Sequence, residues 1–315
     1  MRLLALYDCI SSTFKCLFII SENNASIENH IINQGCKYEV INSQFKSNEE
    51  IQYLSENYVK PNDIVVLDGY QFDTNYQRLI KEVCSKLVVI DDVPDKHHVA
   101  NVIINHSGEV QPADYSAEPY TQFCFGPQFA LVRNAFYEEA KKPIINSSKF
   151  NFGNILISLG GADPTNELMN VLNEIREFNM DNYLHILIGG AYKFKKQLQK
   201  KLNKIEVGYH LHQNLNTEGI ITLMKKCNIA ITTPSTIAYE YLHIRGLLYL
   251  RKTADNQKNI YSFLTKQKLA LPFEKEFILI KYDVQIAKML QQQKFIFNGD
   301  SQKNFEQLFK NLTKA

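Results

Sequence analysis

Apolar positions along this chain fall into short uninterrupted runs, separated by stretches in which they recur every three or four residues. In the first part, residues 16–21, 38–41, 64–68, 87–91 and 102–104 are such runs. They read as strands buried on both faces, because their apolar character does not alternate. The stretches 26–33, 48–58 and 74–84 carry helical spacing. The same rhythm restarts after residue 150, with runs at 155–159, 183–188, 229–232 and 247–250 and helical patterns at 166–178, 194–204, 218–226, 237–244 and 256–266. Buried strands alternating with helices predict an α/β chain whose parallel sheets are covered on both faces.

The join between the two series is a helical pattern at 134–142 followed by a polar stretch, 143–153, that contains Asn146-Ser147-Ser148-Lys149. This predicts a domain at 1–142, a linker at 143–153 and a second domain at 154–315. Two similar α/β halves imply a cleft between the carboxyl ends of two parallel sheets, where open α/β sheets bind ligands. A length of 315 residues and a hydrophobic content of 45% supply two cores. The net charge of +2 gives no reason to invoke nucleic acid or an anionic membrane. Lysines between 193 and 204 alternate with Leu198, Leu202 and Ile205 and read as the solvated face of an amphipathic helix. Cys9, Cys16, Cys36, Cys84, Cys124 and Cys227 form no Cys-x-x-Cys pair and suit a reducing cytoplasm. No apolar run approaches the roughly 20 residues of a membrane span. The apolar start of the chain is interrupted by Asp8 and Ser11-Ser12-Thr13, unlike a signal peptide. The expectation is a cytoplasmic, monomeric protein.

Candidate chemistry lies where strands end. Ile155-Leu156-Ile157-Ser158-Leu159 runs into Gly160-Gly161-Ala162-Asp163-Pro164. Gly160 and Gly161 allow positive φ or close approach of a ligand to backbone. Asp163 suits an N-cap and Pro164 a first helical position. Such a turn aims backbone N–H groups at an anion, typically phosphate; the plain alternative is an ordinary strand–turn–helix connection. Thr232-Thr233-Pro234-Ser235-Thr236 follows another strand, with Glu240 one turn into the next helix. Ser235 and Thr236 serve either as caps or as phosphate donors, and Glu240 can accept two ribose hydroxyls. A third loop, Ala254-Asp255-Asn256-Gln257, offers carboxamides to a sugar or a phosphate, or simply caps a helix. Three such loops on one sheet edge suit a diphosphate nucleotide. Neither a Gly-x-x-x-x-Gly-Lys-Ser/Thr loop nor Gly-x-Gly-x-x-Gly occurs, which sets aside Walker-type and dinucleotide readings. No Gly-x-Ser-x-Gly elbow supports a serine hydrolase.

In the first half, Asp68-Gly69-Tyr70 and Ile90-Asp91-Asp92 follow strands, and Asn105-His106 ends another. Adjacent Asp91 and Asp92 point to opposite faces, which argues against shared chelation. His97 and His98 read as surface histidines of a polar turn. No metal or cofactor is expected.

Taken in order, Asp68-Gly69-Tyr70, Ile90-Asp91-Asp92, Phe125-Gly126-Pro127-Gln128-Phe129-Ala130-Leu131-Val132-Arg133, Ile157 through Pro164, Ser235-Thr236 with Glu240, and Ala254 through Gln257 resemble one family. It is the nucleotide-sugar hydrolases of pseudaminic acid biosynthesis, which act on UDP-2,4-diacetamido-2,4,6-trideoxy-β-L-altropyranose and are related to GT-B glycosyltransferases. The resemblance implies a GT-B-like fold with two Rossmann-like domains. It implies release of UDP by attack of water at the anomeric carbon. It places Gly160, Gly161 and Asp163 beside the diphosphate, with Ser235 and Thr236 donating to phosphate and Glu240 on the ribose. It sets Asn256 and Gln257 against sugar or phosphate, and Tyr70 in the sugar pocket. The family's presumed general base, a histidine in a Gly-His-x-x-Arg pattern, would lie upstream of Met1, together with the first strand and its glycine loop. That leaves two expectations, a start codon further upstream or a nucleotide-sugar-binding remnant with little turnover. Pro234 stands where the family often has glycine and removes one N–H. A GT-B glycosyltransferase using a UDP-sugar donor is the alternative enzyme.

Overall fold

The computed structural model describes residues 1–21, 25–143, 153–175, 183–273 and 283–314. The chain divides into two compact units, one of Met1–His106, Val110–Leu131 and Gln302–Ala315, the other of Ser107–Glu109 and Val132–Ser301.

The first unit opens with α1 (Arg2–Ile10), β1 (Leu17–Ile20), α2 (Ala25–Asn33), β2 (Lys37–Val40) and α3 (Ser47–Asn57). It continues through β3 (Ile64–Asp68), α4 (Thr74–Val83), β4 (Lys86–Ile90), β5 (His97–His98), β6 (Val102–Asn105), β7 (Ser116–Ala117) and β8 (Gln122–Phe125). Asp73 starts α4 by accepting the N–H of Tyr76 at 2.7 Å. All pairings are parallel, as uninterrupted apolar strands demand. The expected single sheet is, however, divided. β3, β4, β6 and β8 form one four-stranded sheet, while β1 and β2 pair only with each other and β5 pairs with β7. What joins β1 and β2 to the rest is apolar packing: Ile19 and Ile41 lie in the same core as Leu54, Leu67, Ile80 and Leu87. The other face of the pair, through Phe18, Ile20 and Tyr38, packs with Leu4 of α1 and Ile31 of α2.

The second unit contains α5 (Asn134–Lys141), β9 (Asn154–Ser158), α6 (Glu167–Glu174), β10 (Tyr183–Ile188), α7 (Lys195–Leu202), β11 (Gly208–Gln213) and α8 (Thr217–Lys226). β12 (Ile229–Thr232), α9 (Thr236–Ile244), β13 (Leu247–Leu250), α10 (Lys258–Lys266), β14 (Leu271–Pro272) and α11 (Asp283–Ile296) complete it. Its strands form one parallel sheet in the order β11-β10-β9-β12-β13-β14. In sequence terms this is 3-2-1-4-5-6, the order of a Rossmann-type sheet. Ile155, Ile157, Ile186, Ile229 and Ile231 are solvent-free at its centre. In α7, Leu198 and Leu202 are fully buried while the lysines face outward, as the amphipathic pattern predicts.

Three differences from expectation have physical causes. β11 escaped notice because it is an edge strand of polar composition, Gly-Tyr-His-Leu-His-Gln, with partial exposure along its length. His98 is not a surface residue: it is fully buried, and its Nδ1 lies 3.3 Å from Gln77 Nε2. The last helix, α12 (Ser301–Leu312), was assigned by position to the second domain but groups with the first unit from Gln302 onward. Phe305 and Phe309 bury their rings there, edge-on to Phe129 and Phe14 at 5.7 Å and 6.0 Å. Of the expected linker, residues 144–152 lie outside the described residues, as do 176–178 of the helix expected at 166–178. Among the described residues no helix is long and apolar enough to cross a membrane. All six cysteines are free.

Two outcomes follow from this packing. Phe305→Ala, which empties a fully buried ring site, is expected to cost about 3–5 kcal/mol in urea-monitored unfolding. Burial also lowers His98, His185 and His243 from 6.5 to about 4. His243 donates from Nδ1 to the Tyr239 carbonyl at 2.7 Å and leaves Nε2 buried without a partner, so protonation there has no acceptor. Above pH 6.5 these imidazoles are neutral in both folded and unfolded chains. As pH falls from 6.5 toward 4 the unfolded chain takes up protons that the folded chain refuses. The melting temperature should therefore fall across that window, and His243→Gln should flatten the fall.

Candidate functional site

In the second unit the strand order reverses between β9 and β12. β9 leads through α6 to β10 on one side, and β12 leads through α9 to β13 on the other. The crevice outside the carboxyl ends of two such strands is the customary ligand position of an open α/β sheet. The two ends are level: Ser158 pairs in register with Thr232, and Thr232 with Leu250 of β13. The loops singled out by sequence, after β9, β12 and β13, thus leave three adjacent strands at one edge.

The β9 loop has two properties. Gly160 adopts φ +90° and Asp163 φ 39°, so the chain folds back sharply before α6. Asp163 is buried, and its carboxylate accepts the N–H of Glu167 at 2.8 Å and of Leu168 at 2.9 Å. The expected arrangement, Asp163 as N-cap with Pro164 as first helical residue, is therefore displaced. The cap position belongs to Asn166, in a left-handed conformation, and the carboxylate reaches over it to the helix start. The Asp163 carboxylate thus already occupies these two donors of the α6 start. Asn166 is itself engaged, accepting from the Tyr192 hydroxyl at 2.7 Å. Arg251, one residue beyond β13, forks onto Glu167 at 2.8 Å and Glu174 at 2.9 Å and ties the third loop to α6.

The β12 loop is built the other way. Ser235 occupies the cap position of α9 but makes no side-chain capping bond; its hydroxyl lies 3.0 Å from that of Thr233. α9 thus begins with two hydroxyls side by side and no carboxylate over its first N–H groups, the arrangement that favours an incoming anion. Thr236 opens the helix at intermediate burial. Glu240, 4% exposed, is held by a bidentate fork from Arg133, with Nε donating at 2.7 Å and Nη2 at 2.6 Å. In the third loop the Gln257 side chain turns back to accept the Thr253 N–H at 2.8 Å, so it stabilises its own turn. Asn256 lies beside it in the single turn of 3₁₀ helix Asp255–Gln257 before α10.

In the first unit the ends of β3 and β4 carry a separate polar cluster. Arg2 bridges Asp68 and Asp92, reaching Asp92 at 2.6 Å. The Tyr70 hydroxyl donates to the other oxygen of Asp92 at 3.2 Å, and the buried His106, after β6, lies 3.9 Å from Asp92. Burial lowers the pKa of His106. Asp91 points elsewhere, as strand alternation predicts: it accepts from Tyr115 at 2.9 Å, and burial raises it to about 6. Among the described residues no group of three or more His, Cys, Asp or Glu side chains is placed to hold a metal ion.

Sequence reasoning passed over Arg133 as a site residue, along with Arg2, Arg251 and Gly189. Gly189, directly after β10, has a spatial role: a Cβ there would lie 2.5 Å from the carbonyl oxygen of Gly161. The Gly189-Gly190 pair at a strand end was the available signal. Gly161 itself faces open space, with nothing within 4 Å of an added Cβ.

No family model matches the chain. It is 27% identical over 190 residues to an uncharacterized protein of Methanocaldococcus jannaschii, a match covering 59% of this chain and 39% of that protein. It is 25% identical over 212 residues to the UDP-2,4-diacetamido-2,4,6-trideoxy-β-L-altropyranose hydrolase of Campylobacter jejuni, covering 65% of this chain and 72% of that one. The chain thus spans less than half the length of the archaeal protein. Among solved structures it resembles Acinetobacter baumannii MurG, with TM-score 0.62 and 11% identity over 98% of this chain and 95% of that one. It also resembles Anabaena HepE in complex with UDP and glucose, with TM-score 0.61 and 10% identity over 100% and 95%. These likenesses show the fold class, which is GT-B-like, with two Rossmann-like α/β units each built on parallel sheets.

The two glycines should separate in a stability assay. Gly189→Ala forces a Cβ against backbone and is expected to cost about 1–3 kcal/mol in urea unfolding. Gly161→Ala enters open space and is expected to stay within about 0.5 kcal/mol of the parent.

Proposed function

We propose that this chain is a nucleotide-sugar enzyme that hydrolyses a UDP-linked 2,4-diacetamido-2,4,6-trideoxy sugar to the free sugar and UDP, as a step toward a nonulosonic acid such as pseudaminic acid. One observation carries the nucleotide reading. Of the two helix starts beside the switch point, α6 is closed by Asp163, whereas α9 begins uncapped beside two hydroxyls and carries a buried carboxylate one turn in. An anion belongs at the start of α9 and a diol at Glu240, which is the spacing of a diphosphate and its ribose. The relatedness to the Campylobacter hydrolase and the GT-B likeness support the same reading.

In this reading Ser235, Thr236 and the first N–H groups of α9 receive the diphosphate. Gly160 and Gly161 let backbone approach it from the β9 side, with Asp163 fixing that turn rather than acting as acid or base. Glu240 accepts the ribose hydroxyls. Asn256 and Gln257 border the sugar or phosphate, Gln257 chiefly by shaping its loop, and Tyr70 contacts the sugar. Water attacks the anomeric carbon as the bond from that carbon to the phosphate oxygen breaks. The electron pair leaves on the phosphate, and the water's proton passes to a general base. Fixed donors at the start of α9 stabilise the charge that develops on the leaving group. A metal is not required by this chemistry, since amides and hydroxyls can neutralise the leaving diphosphate. A GT-B glycosyltransferase would share the diphosphate contacts and pass the sugar to an acceptor in place of water.

UDP is expected to raise the melting temperature through preferential binding to the folded chain, and Glu240→Ala to shrink that rise. With the UDP-diacetamido sugar in ¹⁸O-water and no acceptor present, NMR and mass spectrometry should find the label in the free sugar and none in UDP. Label in UDP would place the cleavage at phosphorus. UDP release only on adding an acceptor would make the glycosyltransferase the correct reading.

A further inference from the structure

Cys16 and Cys36 stand in matching places at the start of two neighbouring strands. Leu17 faces Lys37 in the parallel pairing of β1 with β2, so the positions immediately before them, Cys16 and Cys36, lie opposite each other. Register partners in a parallel pair direct their side chains to the same face. Here that is the face of Phe18 and Tyr38, which packs with Leu4 of α1 and Ile31 of α2 and includes Cys36 in the same apolar cluster. The two sulfurs are turned alike. Cys16 Sγ lies 3.7 Å from the carbonyl oxygen of Phe14 and Cys36 Sγ 3.9 Å from that of Gln34, in each case two residues back. Tyr7 of α1 hydrogen-bonds Cys36, and both thiols lie near enough to act electrostatically on its hydroxyl.

Parallel neighbours are spaced about 4.8 Å apart, inside the Cα separation of about 4.4–6.8 Å that a disulfide spans. Joining these sulfurs therefore calls for rotation about side-chain bonds and no displacement of the strands. The place is also one where a cross-link has an effect. β1 and β2 pair only with each other, and most of their residues are partly or fully exposed. A bond between positions 20 apart in sequence removes freedom from the opened chain and holds the two strands in register.

We propose that Cys16 and Cys36 are a redox-sensitive pair, which a small disulfide of the glutathione class converts to a disulfide that staples β1 to β2. Cys16, the more exposed of the two, attacks one sulfur of glutathione disulfide as its thiolate. This forms a mixed disulfide and releases one glutathione. Cys36 then attacks the Cys16 sulfur as its thiolate and displaces the second glutathione. Two protein thiols lose two electrons and two protons, and one glutathione disulfide becomes two thiols. Burial raises the pKa of both cysteines, so little thiolate is present at neutral pH and the exchange is slow. The pair thus follows a sustained change in thiol–disulfide balance and not a brief pulse of oxidant. None of this depends on the nucleotide site.

Residues 16–37 contain both cysteines and no Lys or Arg before Lys37, so they form one tryptic peptide. The full chain is equilibrated in glutathione buffers from fully reduced to fully oxidised, quenched in acid, alkylated in denaturant and digested. At the oxidised end mass spectrometry should find this peptide two hydrogens lighter and alkylated at neither cysteine. Cleavage after Glu22 and Glu28 should leave its two ends linked. The melting temperature should be about 5–10 °C higher in oxidised than in reduced buffer. Cys16→Ser, a change at a part-exposed position, should melt as the reduced parent does and respond to neither buffer. Both cysteines alkylated at the oxidised end, or each carrying its own glutathione, would overturn the proposal. So would a disulfide that forms and leaves the melting temperature no higher than that of Cys16→Ser in the same buffer.

Discussion

The second unit depends on the parallel pairing of β9 with β12. These strands are far apart in sequence, yet their register brings Ser158 level with Thr232. That register fixes where apolar strand gives way to loop: Ile155, Ile157, Ile229 and Ile231 are solvent-free, and polar side chains begin at the next positions. A slip of one residue would turn every one of these side chains to the opposite face of the sheet. It would also carry the two loops out of level with each other. The Rossmann strand order follows from the same constraint, because the chain leaves β9 in one direction across the sheet and leaves β12 in the other.

Charge then distinguishes two helix starts that are otherwise equivalent. Both follow central strands and both carry the partial positive charge of aligned peptides. At α6 that charge is satisfied internally by Asp163, and Arg251 draws Glu167 and Glu174 into the same network. At α9 the hydroxyls of Thr233 and Ser235 pair with each other, and the buried carboxylate sits further along the helix under Arg133. Selectivity in such an edge comes as much from closing one terminus as from opening another.

The elements readable from sequence were those buried on both faces. Residues 64–68, 183–188, 229–232 and 247–250 were bounded correctly, because a continuous apolar run admits little else in a parallel sheet. Edge strands were not legible: β11 needs no apolar run, and its pairing comes from β10 alone. The division of the first unit's strands into separate sheets was also out of reach, since apolar pattern reports burial and not hydrogen-bond partners. At the candidate site, the loops and Glu240 could be proposed from sequence because Gly, Ser and Thr at strand ends are local signals. Arg133 could not, because its partner is 107 positions away and only packing of α5 on α9 brings them together. The double role of Asp163, capping a helix that starts beyond Asn166, likewise depends on a left-handed residue that the sequence marks only weakly.

The return of α12 to the first unit bears on how this protein is made. A chain leaving the ribosome normally completes its first domain before the second emerges. Here the aromatic seats around Phe14 and Phe129 are filled by Phe309 and Phe305, from a helix synthesised after the second unit. The first unit therefore waits, with apolar surface uncovered, while the whole of the second is translated and folded. Its demand for chaperone protection in the cell is set by the length of its neighbour as well as by its own sequence.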